Sequence, residues 1–178
     1  GGQEAQPGPA TWTRLQEHFD DDGDGYLRFR RSLLRDAAYE GLPYKLRRQF
    51  HGTVAARMEE EMDQPEEAAG ILSLHYIVAG EYRPAWRYAS IAAKRAQHAY
   101  AYVEAARTYS RALEAGRRLK DLPTHELAVV HEALADCWYR AGELPKAAEA
   151  YTSAVRLAGD DRLLASGLLL KRSKLEEK

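Results

Sequence analysis

The chain has 178 residues, 45% apolar and 30% charged, enough to bury a core in one domain or a short repeat array. Lys and Arg number 26 against 27 Asp and Glu, and this near-neutral balance argues against a general nucleic-acid binder. One cysteine excludes a disulfide framework or cysteine-rich zinc site and fits a reducing, cytoplasmic setting, and no apolar run reaches the roughly 18–20 residues of a membrane span.

The chain begins Gly-Gly-Gln-Glu without Met, and residues 1–10 hold three Gly, two Pro and no large apolar residue. They read as a flexible linker or cloning remnant, which predicts that the chain is a piece of something larger. Residues 11–19 are expected to form a short helix, and Asp20–Gly25 a turn cluster. Tyr26 to Arg30 alternates, with Leu27 and Phe29 on one face, as in a short half-buried strand. Leu33, Leu34, Ala37 and Ala38 recur at helical spacing, and Gly41 ends that helix.

From Pro43 the chain reads as helix. Pro43, Pro65, Pro84, Pro123 and Pro145 fall near helix starts, where a missing N–H is cheapest. The expected helices are 43–62, 65–79, 82–99, 101–119, 123–141, 144–158 and 161–176. Their short connections predict antiparallel neighbours. The last helix is rich in leucine, and its apolar face calls for a neighbour. The fold class is therefore all-α, with a small N-terminal helix–strand segment.

Residues 128–161 carry the clearest internal pattern. Within this window Leu134 and Ala135 stand seventh and eighth, Trp138 eleventh and Gly142 fifteenth. Ala147 stands twentieth, Tyr151 twenty-fourth and Ala154 twenty-seventh. Small residues let two helices touch, aromatics fill the hollows, and the glycine stops the first helix. The pattern resembles a tetratricopeptide repeat, of period about 34 residues. Ala105, Tyr109 and Ala112 repeat the second half 42 residues earlier, so 86–119 reads as a second copy. Its first helix is atypical: Ala96 stands at the aromatic place and Tyr100 at the glycine place. Tyr76, Gly80 and Ala85 match again only 20 residues earlier, so helix 82–99 fits two roles. The resemblance implies an antiparallel helix-pair superhelix over 43–178.

Residues 27–55, with Phe29-Arg30, Leu34-Arg35-Asp36, Ala38-Tyr39, Leu42, Arg47-Arg48 and His51, carry a second resemblance. They resemble the stretch between the nucleotide-binding and helical-repeat parts of bacterial STAND-type regulatory ATPases. Such ATPases are fused to class III adenylate or guanylate cyclases or to transcriptional regulators. The resemblance implies that 11–42 is a winged-helix-like remnant, with Gly23–Gly25 in its wing hairpin. ATP binding or cyclase activity would lie upstream, because no Walker-type loop occurs here.

Asp20, Asp22, Asp24 and Gly25 match the opening of an EF-hand loop, but its ninth and twelfth places hold Arg28 and Arg31. Two cations in a divalent-ion cage argue against Ca²⁺, leaving a hairpin turn with solvated carboxylates. His125 and His131 lie six apart and diverge by about 120° on a helix, too far for a zinc pair. Cys137 reads as a packed thiol. No metal or cofactor is expected, and nothing in these residues points to catalysis.

Two surfaces remain. By the tetratricopeptide resemblance the partner groove is lined by Arg87, Ser90, Lys94, Gln97 and His98, then by Val129, Glu132, Asp136, Tyr139 and Arg140. It would be basic at one step and acidic at the next. Repeats that clamp a C-terminal carboxylate carry Lys and Asn where Ser90/Lys94 and Glu132/Asp136 stand, so that ligand class is not expected. The second surface is a basic patch: Arg28, Arg30, Arg31, Arg35, Lys45, Arg47 and Arg48 against Asp36 and Glu40, a balance of 7 − 2 = +5. The leading expectation is a non-catalytic scaffold binding a protein or peptide, or other domains of its own polypeptide. The alternative is nucleic-acid contact through residues 28–48.

Overall fold

A computed structural model describes residues 16–23, 26–159 and 161–176. It divides into two compact units, Gly1–Arg47 and Arg48–Lys178. Within the described residues the elements are two strands, β1 (Phe19–Gly23) and β2 (Tyr26–Phe29), and eight α-helices. The helices are α1 (Ser32–Glu40), α2 (Tyr44–Glu61), α3 (Ala69–Ala79) and α4 (Tyr82–His98), then α5 (Tyr102–Gly116), α6 (Thr124–Arg140), α7 (Leu144–Ala158) and α8 (Arg162–Glu176). A 3₁₀ turn, Pro65–Ala68, leads into α3. The fold is all-α with a small N-terminal sheet.

In the first unit β1 and β2 form an antiparallel hairpin, with Phe19 opposite Phe29 and Asp20 opposite Arg28, and an irregularity between Asp21 and Gly23. The expected 11–19 helix lies mostly outside the described residues. Its last residue is corrected: Phe19 opens β1, because its ring packs on Phe29 at 4.5 Å between centroids. The first strand was hidden in the sequence by its run of aspartates, which have low strand propensity. The Asp24-Gly25 part of the EF-hand pattern also lies outside the described residues. Asp20 is engaged by Arg30, whose Nε lies 2.8 Å from Oδ1. Gly41 caps α1 at φ −70°, so it ends the helix without the left-handed turn.

The second unit is a consecutive stack, each helix from α3 onward packing on the next. Alanine makes the seams. Ala85, Ala89 and Ala93 of α4 and Ala105, Ala106 and Ala112 of α5 are fully buried, as are Ala135, Ala147 and Ala154 of the next pair. Small side chains allow close backbone approach, and Tyr109 and Tyr151 fill the hollows beside them. Burying one such ring stabilises by about 1.5–3 kcal/mol. Gly116 is a point of contact in the same sense: a Cβ there would lie 2.7 Å from the Trp86 ring and 2.9 Å from Leu127.

Three inter-helix turns share one backbone solution. Gly80, Tyr100 and Gly142 all take left-handed φ, at +76°, +61° and +81°. In each, the following N–H reaches back five residues at 2.9 Å: Glu81 to Tyr76, Ala101 to Ala96, Glu143 to Trp138. The next helix is then opened by that same residue's carbonyl, which accepts from Ala85, Ala105 and Ala147 respectively. This is the pattern of a left-handed helix stop. Helix α4 lies between two of these turns, following the one at Gly80 and preceding the one at Tyr100. α4 therefore packs on both α3 and α5 through connections of the same kind. The residue at Tyr100 is costly, because a bulky side chain in left-handed backbone loses roughly 1–2 kcal/mol relative to right-handed.

Glu59, near the end of α2, has a structural partner. The hydroxyls of Tyr76 and Tyr88 both donate to its carboxylate, and the two rings stack at 5.9 Å. A carboxylate at a helix C-terminus is thus held by tertiary donors against an unfavourable helix dipole.

Candidate functional site

α4 and α6 carry the groove residues expected from sequence. Gln97, Asp136, Tyr139 and Arg140 line one open cavity of about 390 Å³, together with Tyr151 of α7 and Lys171 and Lys174 of α8. Its floor is tied down. The Lys171 ammonium lies 2.8 Å from both Asp136 Oδ2 and Glu132 Oε1. Tyr151 donates its hydroxyl to Asp136, and Tyr109 donates to Gln97 Oε1 at 2.8 Å. Tyr109 and Tyr151 hold equivalent places in successive helix pairs, so each pair uses a buried phenol to orient a groove-side acceptor. Burial, then the charge of nearby groups, pushes the Tyr109 phenol up to about 12. Burial and the Asp136 hydrogen bond raise Tyr151 further. Both remain protonated donors at neutral pH. Burial works against the charge on Lys171, but its bonds to Asp136 and Glu132 outweigh this and raise its pKa.

The expected basic and acidic steps are reshaped by this packing. Glu132 and Asp136 are not a bare acidic step, since Lys171 sits on both. Arg140, Lys171 and Lys174 line the cavity with Asp136, and Lys171 is shared between Asp136 and Glu132, so the exposed Arg140 and Lys174 supply its outward positive charge. Arg87 is elsewhere, 2.6 Å from Glu66 Oε1 and over the Tyr88 ring. Lys94 and His98 are exposed on α4, outside the cavity lining. Lys171 and Lys174 were missed from sequence because the leucine run of 161–176 dominates that segment. The available signal was their spacing of three, which puts both on one helix face.

The residues of the basic patch meet different partners. Arg30 pairs with Asp20, and Arg35 with Asp36 at 2.8 Å. Arg47 lies over the Tyr39 ring at 5.6 Å. Arg28, Arg31 and Lys45 are exposed in the same unit. Arg48 belongs to the second unit, where its Nε donates to the Ala79 carbonyl at 2.8 Å beside the Gly80 turn.

Cys137 is fully buried, and burial lifts its thiol to about 11. His131 is buried while His125 is exposed. His51 and His75 face each other with Nδ1 atoms 3.1 Å apart, and burial lowers the pKa of both. Among the described residues no three His, Cys, Asp or Glu side chains cluster as a metal site, and no helix is long and apolar enough to cross a membrane.

Comparison of the chain with protein-family models, curated proteins and solved structures finds no match. The class the fold defines is an all-α, helical-repeat-like array.

Proposed function

We propose that the array is a tetratricopeptide-like, non-catalytic interaction module that receives a peptide segment in the cavity between α4, α6 and α8. The segment belongs to a partner protein or to another domain of the same polypeptide. The observation that carries this reading is the convergence of Gln97, Asp136, Tyr139 and Arg140, all drawn from first helices, on one open cavity. Its floor is preorganised by Tyr109 and Tyr151, which lowers the ordering cost of binding. The three like turns at Gly80, Tyr100 and Gly142 support the repeat reading. The resemblance of residues 27–55 supports a parent of the STAND type, a cytoplasmic signalling ATPase linked to a cyclase or to transcription. A nucleotide-binding loop encoded upstream of residue 1 is expected, and an unrelated upstream sequence would remove that parent.

The binding reading is tested with a phage-displayed peptide library panned on the chain. The counter-selection uses Arg140→Glu/Lys174→Glu, two exposed cavity residues whose change leaves the tied floor intact. Peptides enriched by the wild type and lost with the variant are expected. Failure to enrich any such peptide refutes the module.

A further inference from the structure

Tyr100 is out of place by the standard of its own repeats. The turns at Gly80 and Gly142 use glycine for the same left-handed backbone, and Gly142 has open space where a Cβ would sit. Tyr100 adopts φ +61° with a bulky side chain, yet 78% of it is exposed. Tyr100 burdens the backbone while burying little of its side chain, and strain of this kind clusters at functional positions. Its ring stands edge-on to Tyr102 at 6.1 Å. Arg140 lies over the Tyr102 ring at 5.8 Å and also lines the cavity. The Tyr100 N–H bonds the carbonyl of Gln97, another cavity residue. Exposed Tyr100 and part-buried Tyr102 therefore stand beside the rim of a pocket where Arg140, Lys171 and Lys174 meet Asp136 and the Glu132 that bonds Lys171, a balance of one positive charge. Tyr and Arg are the residue types that anchor protein partners.

We propose that Tyr100, Tyr102 and Arg140 form the anchor for an acidic peptide segment, whose apolar or aromatic residue lies on the tyrosines while a neighbouring carboxylate reaches Arg140 and Lys174. This rests on the binding reading above and adds the partner's chemistry to it. Side-chain carboxylates are meant, since the C-terminal clamp residues are absent. A peptide fits better than a nucleic acid, because Asp136 in the lining and the near-neutral chain oppose a continuous phosphate backbone.

Three labelled probes test this by fluorescence anisotropy at low salt: a random Glu/Tyr copolymer, poly-glutamate and an oligo-dT. The Glu/Tyr copolymer is expected to bind at least tenfold more tightly than poly-glutamate, and oligo-dT more weakly than either. Tyr100→Gly is expected to weaken copolymer binding about tenfold while its urea midpoint stays at or above the wild-type value. A merely structural tyrosine would not separate the two readouts. Copolymer binding unchanged in Tyr100→Gly, no copolymer binding, or preference for oligo-dT overturns the proposal. If the library yields peptides that are neutral or basic, the module stands and this inference falls.

Discussion

Acidification should strike the array at one identifiable side chain. His131 lies in α6, only 6% exposed, and its Nδ1 has no hydrogen-bond partner. Burial, reinforced by Arg117 just after α5 and Arg156 of α7, lowers its pKa from 6.5 to about 4. The folded state disfavours the charged ring, so the unfolded chain binds the proton more readily. The stability contribution is whole above pH 6.5 and is lost as pH falls toward 4. Each tenfold in proton affinity is worth about 1.4 kcal/mol, so the full loss is about 3 kcal/mol, a large share of a small domain's stability. Urea unfolding at pH 7.5, 6, 5 and 4.5 should be compared with His131→Leu, which keeps an apolar side chain of similar size. His51 and His75, whose pKa values are also lowered, act in the same direction but are common to both proteins and cancel. The wild type should lose about 2–3 kcal/mol more than the variant between pH 7.5 and 4.5. Parallel curves for the two proteins would refute the reasoning.

Gly116→Ala should destabilise despite the better helix propensity of alanine. Its Cβ would meet the Trp86 ring at 2.7 Å, and overpacking of about 1–3 kcal/mol outweighs a propensity gain of ~1 kcal/mol; a raised melting temperature would contradict the close contact. Glu59→Ala strips the shared acceptor from Tyr76 and Tyr88 and should cost about 1.5–3 kcal/mol. The Tyr88 phenol, held up to about 12 by burial and then by Glu59, should titrate lower in that variant by ultraviolet absorbance. An unmoved titration would mean that Glu59 does not hold that hydroxyl. Gly142→Ala should cost about 1 kcal/mol, since only its φ of +81° is at issue. Gly80→Ala should cost more, because the Arg48 guanidinium occupies the Cβ site and must give up its bond to the Ala79 carbonyl to move; equal losses by thermal unfolding would mean that this bond contributes nothing measurable.

Much of the array was determined by the sequence alone. Proline placement and 3.6-residue periodicity set the helices from 43 onward to within three residues at each end, the 3₁₀ turn at Pro65–Ala68 aside. The small-aromatic-small spacing of Ala105, Tyr109 and Ala112, and of Ala147, Tyr151 and Ala154, marked residues that are buried. Helix formation and the choice of inward face depend on neighbours within a turn or two, so the chain displays them locally. Tertiary structure alone decided the rest. It packed α4 on both α3 and α5, put Tyr100 in the left-handed region, set Glu59 under two tyrosines, and carried Lys171 across 35 residues onto Asp136. Those outcomes depend on which helix faces meet and at what distance. Packing, not local pattern, fixes that geometry, and the candidate site is made of such meetings between helices.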